Sequence, residues 1–164
     1  MPETILTPVT LWQSFDDTLP LKEVKLNTYS IHSASITNLY FSGRQTAKGR
    51  VRIFGVYGEP TIPSKGSILI LPDACDTVDP EVVMCFANLG YNVLCLDYRG
   101  EYNDTKDYTK YPEDVSYANY VNRGRTFDYV DTTADKTCWY EWTSVARYGV
   151  SYLKEKNPDS KIGI

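Results

Sequence analysis

The chain has 164 residues, of which 42% are hydrophobic and 23% charged, and its formal net charge is −4. This composition is ordinary for a globular domain with a sizeable core, and an acidic balance without a basic cluster excludes a nucleic-acid-binding surface. No stretch approaches the roughly 20 apolar residues of a membrane span. Residues 1–11 lack a secretory pattern, so we expect a cytoplasmic protein that binds no membrane.

Four cysteines and 14 tyrosines stand out in the composition. The cysteines form no CxxC pair, so zinc and redox motifs are not expected, and no metal or cofactor is predicted. Cys85 and Cys95 lie in apolar runs and are predicted to be reduced core residues. The tyrosines fit half-buried packing with solvated hydroxyls, or exposed rings that stack on sugars, and the sequence leaves both interpretations open.

Residues 1–62 form a β-rich opening segment. Short apolar runs alternate here with turn signals, at Ser42-Gly43 and at Gly58-Glu59-Pro60, which predicts an antiparallel start of the sheet. The predicted strands cover residues 24–31, 36–41 and 51–57.

Residues 63–164 carry a different pattern. The continuous apolar runs at residues 67–71 (SILIL) and 91–96 (YNVLCL) are typical of strands covered on both faces. Between them, Asp79-Pro80 is a helix start and Gly90 a helix stop. The predicted apolar face of this helix contains Val82, Val83, Phe86 and Leu89. Strand, helix and strand at this spacing predict a right-handed βαβ unit with parallel strands.

The last third of the chain combines a long connection with a clear helix. Residues 98–133 are polar, rich in tyrosine and weakly periodic, and are predicted to be a loop with short helical pieces that could line a substrate mouth. The helix that follows ends at Asn157-Pro158. Its predicted buried face contains Trp139, Trp142, Ala146, Gly149, Val150 and Leu153. Residues 161–164 (KIGI) start another strand, and since such a strand normally continues into a turn, we expect a truncated chain.

Several of these segments resemble the acetylxylan esterase and cephalosporin-C deacetylase family of α/β-hydrolases. Residues 36–43 (ITNLYFSG) are similar to its strand ending in Phe-Ser-Gly, and residues 90–93 (GYNV) with 97–100 (DYRG) are similar to its Gly-Tyr-x-Val and Asp-x-Arg-Gly motifs. Residues 122–124 (NRG) and 161–164 also match. The resemblance spans nearly the whole chain and implies one partial domain, residues 1–164, forming the N-terminal half of an α/β-hydrolase fold.

The resemblance implies a serine carboxylic-ester hydrolase that deacetylates carbohydrates. Its nucleophile would follow in a Gly-x-Ser-x-Gly turn, and its acid and histidine later still. None of them is in this chain, so no catalytic residue is predicted and the chain alone is expected to be inactive. The single histidine, His32, is interpreted as a strand residue rather than a catalytic base.

The family also implies an oxyanion-hole donor in the loop after the first parallel strand. The family's His-Gly-Tyr is replaced here by Pro72-Asp73-Ala74, and Ala74 is the candidate donor. A carboxylate of Asp73 about 5 Å from the oxyanion would oppose it by roughly 3 kcal/mol at an effective dielectric of about 20, or about 10² in rate. An ordinary strand-ending turn is the alternative interpretation of this tripeptide.

The next strand is followed by Asp97, Arg99 and Gly100. These residues are predicted to fix a loop by hydrogen bonds rather than to take part in catalysis. Two other functions stay open: a non-catalytic hydrolase-like domain kept for binding or assembly, and a self-contained flavodoxin-like domain. The expected partners are a small-molecule ester in the parent protein and a second copy of the chain or the missing C-terminal half.

Overall fold

The computed structural model describes residues 7–73, 76–101, 106–121 and 133–164. The strands are β1 Val24–Ile31, β2 Ala34–Gln45, β3 Arg50–Pro60, β4 Ser67–Ile70, β5 Asn92–Leu96 and β6 Ile162–Gly163. The helices are α1 Pro8–Trp12, α2 Pro80–Asn88 and α3 Cys138–Lys156, with short 3₁₀ segments at Glu113–Ala118 and Ala134–Lys136. The six strands form one mixed sheet in the order β1-β2-β3-β5-β4-β6, which confirms the predicted α/β class.

The first three strands pair antiparallel, as predicted. The first turn signal does not end its strand, whereas β3 does end at Pro60, within the second signal. Ser42-Gly43 lies inside β2, where the pairing register shifts between Ser42 and Gln45, and Gly58 lies inside β3. A Cβ atom at Gly58 would lie 2.7 Å from Cγ1 of Val83. Glycine at this position therefore permits close approach of α2 to the sheet and does not mark a turn.

The predicted βαβ unit is present. β4 and β5 are adjacent and parallel, with Ser67 opposite Asn92 and Ile70 opposite Cys95, and α2 connects them. The Asp79 side chain caps α2 by accepting a hydrogen bond of 2.8 Å from the N–H of Glu81. Because the two strands are parallel, their carboxyl ends lie side by side at one edge of the sheet, which is where ligand sites of α/β folds form.

The buried face of α2 differs from the predicted one. Val83 and Ala87 are fully buried against the sheet, because the sheet approaches the helix at Gly58, whose Cβ would lie 3.0 Å from that of Ala87. Three residues of the predicted face are partly exposed: Val82 (37%), Phe86 (37%) and Leu89 (54%). The placement of Cys85 in the core is also wrong, since it lies exposed on α2, whereas Cys95 in β5 is buried.

The helix α3 covers the other face of the sheet. Thr137 caps it by accepting from the N–H of Tyr140 at 3.2 Å, and it ends before Asn157, as predicted. Its buried stripe runs through Glu141, Tyr148 and Tyr152. Trp139 was predicted to be buried but is 54% exposed. It precedes the buried Glu141 by two residues, so its side chain is rotated from that of Glu141 by about 200° around the helix axis.

Two apolar cores fill the space between the sheet and its helices. The core under α3 includes Leu39, Phe41, Ile53, Leu69, Leu94, Leu96, Val145, Tyr148 and Tyr152. The core under α2 includes Ile36, Val56, Val83, Ala87, Val93 and Cys95. The antiparallel pairs of β1, β2, β3 and β5 exclude the all-parallel flavodoxin-like alternative. Within the described ranges, no helix is long and apolar enough to cross a membrane.

Candidate functional site

The carboxyl ends of β4 and β5 are joined by a side chain from the loop after β5. The hydroxyl of Tyr98 donates a hydrogen bond of 2.6 Å to the carbonyl of Pro72. The Tyr98 ring packs against Trp142 of α3 with the ring centroids 5.4 Å apart, and its own carbonyl accepts from the hydroxyl of Tyr111 at 2.5 Å. The turn after β4 is thus held in place by residues from two other elements. We call Pro72, Asp73, Asp97, Tyr98 and Arg99 the carboxyl-end site.

The tripeptide interpreted as an oxyanion loop is only partly within the described structure. Asp73 is exposed, and its carbonyl accepts a hydrogen bond of 2.9 Å from the N–H of Asp76. This bond lies at the start of the connection to α2. Ala74, the candidate donor, lies outside the described residues, so its role stays a prediction.

Asp97 connects the end of β5 to a distant part of the following loop. It is 7% exposed, and its carboxylate accepts from the backbone N–H groups of Arg99 at 3.2 Å and Thr109 at 2.5 Å. Burial raises the pKa of Asp97, and the hydrogen bonds from Thr109 and Arg99 act in the opposite direction. The fully buried Thr109 hydroxyl donates to the Asp97 carbonyl and accepts from the N–H of Phe54 at 3.0 Å. This cluster, the Asp97–Thr109 clasp, joins β3, β5 and the loop.

Arg99 and Gly100 continue the same loop in a buried position. Arg99 is 3% exposed, and its guanidinium lies 4.0 Å from the Asp97 carboxylate and 5.9 Å from the centre of the Tyr120 ring. Gly100 has φ of +75°, and a Cβ there would lie 2.2 Å from Oδ1 of Asn119. Both observations explain why glycine occupies position 100.

Replacing Gly100 with alanine is expected to lower the free energy of unfolding by about 2 kcal/mol, since a left-handed backbone is strained for alanine and the Cβ would displace Asn119. That displacement also breaks the hydrogen bond of 3.1 Å from the N–H of Glu101 to Asn119 Oδ1. Urea denaturation followed by circular dichroism measures the change. Gly163→Ala is the matched control, because nothing lies within 4 Å of a Cβ there. Equal stability of both variants would contradict the strain argument.

The described residues line two cavities that open at this edge of the sheet. The larger one, of about 560 Å³, lies between the end of β4 and the start of α2 and includes Ile70, Pro72, Asp79 and Val82 in its wall. The smaller one, of about 190 Å³, is bounded by Phe54, Asp97 and Arg99. Both share Thr77 and Val78. Space for a ligand therefore lies directly beside the turn after β4.

A buried ion pair beside this edge was missed by the sequence analysis. Glu141 of α3 is 0% exposed, and both of its carboxylate oxygens accept from the guanidinium of Arg44 at the end of β2. The hydroxyl of Tyr117 donates to the same carboxylate at 3.2 Å. Burial raises the pKa of Glu141, and Arg44 opposes that effect. Glu141 lies four residues before Val145 and seven before Tyr148. Residues at these spacings share one face of a helix, so the sequence pattern could have indicated that Glu141 is buried.

The described residues do not form a catalytic or metal-binding constellation. Within the described ranges, no group of three His, Cys, Asp or Glu side chains could hold a metal ion. His32 is exposed in the turn between β1 and β2. The N–H of the neighbouring Ser33 donates a hydrogen bond to Oδ1 of Asn88. Asn88 is the last residue of α2, and this end of the helix is the one farther from the carboxyl-end site. The chain's single histidine thus lies at the opposite edge of the sheet and cannot act as a base at this site.

Comparison with known proteins identifies the fold. No protein-family model and no curated protein sequence matches the chain. The solved structure of acetyl xylan esterase 1 from Thermoanaerobacterium sp. JW/SL YS485 matches 89% of this chain with a TM-score of 0.53 and 14% identity, and this match covers 44% of that chain. An acetyl xylan esterase from Paenibacillus sp. R4 matches 68% at 22% identity and a TM-score of 0.45, covering 38% of its own chain. The chain thus spans less than half the length of either structure, and it shares the fold of the corresponding part of the first.

Proposed function

We propose that the chain is the N-terminal part of a serine carboxylic-ester hydrolase and supplies the half of the sheet that carries the oxyanion loop. The observation that carries this proposal is the strand order β2-β3-β5-β4-β6, with β4, β5 and β6 parallel. In that order β6 lies beside β4, so a turn after β6 would face the turn after β4. A nucleophile held there would lie next to the carboxyl-end site.

The bond between Tyr98 and Pro72 supports an oxyanion role for the turn after β4. The Pro72 carbonyl accepts from Tyr98, and in a trans peptide the N–H of the next residue points the opposite way. The N–H of Asp73 therefore points away from Tyr98, and Ala74, the next residue, stays the candidate donor. Backbone N–H groups held in a fixed direction are what stabilises a developing oxyanion.

The reaction we propose is acyl transfer: a serine attacks the ester carbonyl, the alcohol leaves, and water releases the acyl group from the enzyme. The substrate class, acetylated carbohydrates, rests on the family resemblance and on the activity named for acetyl xylan esterase 1. Within this proposal the present chain orients the carbonyl and is inactive by itself, since it contributes neither nucleophile nor base.

The proposal extends to compartment and partners. Cys85 and Cys95 are free thiols, which agrees with the reducing cytoplasm in which we place the protein. β6 pairs on one side with β4. An unpaired strand edge recruits other strands, and we therefore expect the chain to associate with a C-terminal half or with a second copy of itself.

The coding sequence beyond Ile164 tests this proposal. We expect it to encode a Gly-x-Ser-x-Gly turn directly after β6, and the longer product should react at that serine with a fluorophosphonate probe. Replacing the serine with alanine should abolish labelling. A downstream sequence without this turn, or a product that is not labelled, would contradict the hydrolase and favour the alternative, a non-catalytic binding or assembly domain.

A further inference from the structure

A further cavity lies on the α3 side of the sheet, beside the buried ion pair of Arg44 and Glu141. Its volume is about 530 Å³, and its wall is formed by the end of β2, the 3₁₀ segment Glu113–Ala118 and the start of α3. β2 runs parallel to β5, because each of them pairs antiparallel with β3. The end of β2 therefore lies at the same edge of the sheet as the carboxyl-end site. We call this space the Arg44 cavity.

The guanidinium of Arg44 presents a fixed donor edge to this cavity. Its Nε and Nη2 atoms donate to the buried carboxylate of Glu141, and its central carbon lies 5.6 Å from the centre of the Tyr140 ring. Tyr140 in turn stacks on Trp12 with the ring centroids 4.6 Å apart. Nη1 of Arg44 has no hydrogen-bond partner among the described residues, and the side chain is 25% exposed. A ligand in the cavity therefore meets a guanidinium edge that is already oriented.

A free acceptor lies close to this donor edge. Burial raises the pKa of Tyr140, Arg44 opposes this rise, and the carboxylate of Asp135 is near enough to add to it. Burial also raises the pKa of Tyr117, and Asp135 contributes there as well. One carboxylate oxygen of Asp135 accepts from the hydroxyl of Thr133, and the other has no partner among the described residues. The wall thus holds a fixed donor and a free acceptor near the same tyrosine rings.

The charges of the wall disfavour an anionic ligand. Glu141 neutralises Arg44, which leaves Lys136 as the other cation in the described wall. Three carboxylates stand against it, those of Glu113, Asp114 and Asp135. A hydroxyl group can accept a hydrogen bond from one neighbour and donate one to another. Adjacent hydroxyl groups on a neutral ligand therefore match a wall that combines cationic donors with carboxylate acceptors.

We propose that the Arg44 cavity binds a neutral sugar unit, with one hydroxyl accepting from Arg44 Nη1 and a neighbouring hydroxyl donating to Asp135. Both hydrogen bonds are charge-assisted, and bonds of this kind are stronger than neutral ones. The choice of a carbohydrate over another neutral ligand rests on the proposed function. The binding itself requires neither a nucleophile nor an ester.

The position of the cavity relates it to the carboxyl-end site. Tyr111 lies between the two: its hydroxyl donates to the Tyr98 carbonyl at 2.5 Å, and burial together with the carboxylates of Glu141 and Asp97 raises its pKa. A polysaccharide that runs along this edge of the sheet would have its ester at the carboxyl-end site and a further sugar unit in the Arg44 cavity. The cavity would thus favour acetylated chains over single acetylated sugars.

Titration of xylotriose, a neutral oligosaccharide without acetyl groups, into the 164-residue chain tests the proposal. We expect a saturable shift of the Arg44 Nε–H signal in nitrogen-15 NMR spectra, since this group belongs to the guanidinium that binds the sugar. Asp135→Asn should weaken binding about tenfold, because it removes a charge-assisted hydrogen bond and keeps the size of the side chain. Arg44→Lys keeps a positive charge beside Glu141 but lacks the outer edge, and it should remove the saturable response, followed here by the backbone signals of the cavity wall.

The matched control is Asp159→Asn, which makes the same change at an exposed position between α3 and β6, outside the cavity. Asp135 is not part of the buried ion pair, so its variant keeps the test decisive if Arg44→Lys does not fold. Equal affinity of the Asp135 and Asp159 variants would overturn the proposal. So would the absence of a saturable shift, or tighter binding of glucuronate than of xylotriose, which would indicate an anion site.

This test and the serine-labelling test of the hydrolase fail separately. A labelled serine in the longer product without xylotriose binding would overturn the sugar site and leave the hydrolase supported. Xylotriose binding without a labelled serine would support the sugar site and contradict the hydrolase.

Discussion

The protein extended through the proposed serine turn and the rest of the hydrolase domain is expected to hydrolyse p-nitrophenyl acetate about 10⁶-fold faster than the 164-residue chain, because loss of the nucleophile or base costs about this factor in a serine hydrolase. The chain itself should not exceed the buffer rate. Its carboxyl-end site borders a cavity, but the single histidine lies at the opposite edge of the sheet. Spectrophotometric release of p-nitrophenol measures both rates.

The control for this comparison is the extended protein with alanine at the proposed serine. It retains the fold and the turn after β4, so it separates loss of chemistry from loss of structure. Turnover that follows the 164-residue chain through purification and disappears on mutation of one of its own residues would contradict the assignment of the nucleophile to a later segment.

Replacing Glu141 with alanine is expected to lower the free energy of unfolding by about 3 kcal/mol. Removing one partner of a buried ion pair leaves the other charge uncompensated and costs about 3–5 kcal/mol. The lower end applies because Arg44 is 25% exposed and can be partly solvated. The hydroxyl of Tyr117 also loses its acceptor. Urea denaturation followed by intrinsic fluorescence measures the change in midpoint.

Glu155→Ala is the matched control for this prediction. Glu155 lies on the same helix, is exposed and forms no ion pair among the described residues. Its replacement should change stability by less than about 0.5 kcal/mol. Similar losses for the two variants would show that the position in the helix, rather than the pair with Arg44, determines the effect.

The order and type of most elements could be predicted from the sequence because their signals are local. Continuous apolar runs predicted β4 and β5, and Asp79-Pro80 predicted the start of α2. The orientation of the helices could not be derived in the same way. Whether Val82 or Val83 faces the sheet depends on Gly58, a residue of another strand that lets α2 approach. The same holds for Ser42-Gly43, where pairing with β3 overrides a local turn signal.

The candidate site was predicted less completely than the fold. Asp97 and Arg99 could be singled out because charged residues directly after a buried strand are conspicuous. Their partner Thr109, and the contact from Tyr98 to Pro72, have no sequence signal, since they join segments 12 and 26 residues apart. Glu141 was overlooked because a charged residue in a helix normally faces solvent. Its partner Arg44 is 97 residues away.

The Asp97–Thr109 clasp also bears on how this protein could diverge. The clasp fixes the two ends of the intervening segment to each other and to β3. The stability of the sheet therefore depends only weakly on the length of that segment. Doubling its length would cost only about 0.6 kcal/mol of closure entropy. Insertions and deletions between residues 100 and 108 should thus change the free energy of folding only slightly. Related proteins could acquire different ligands in this way while the sheet stays unchanged.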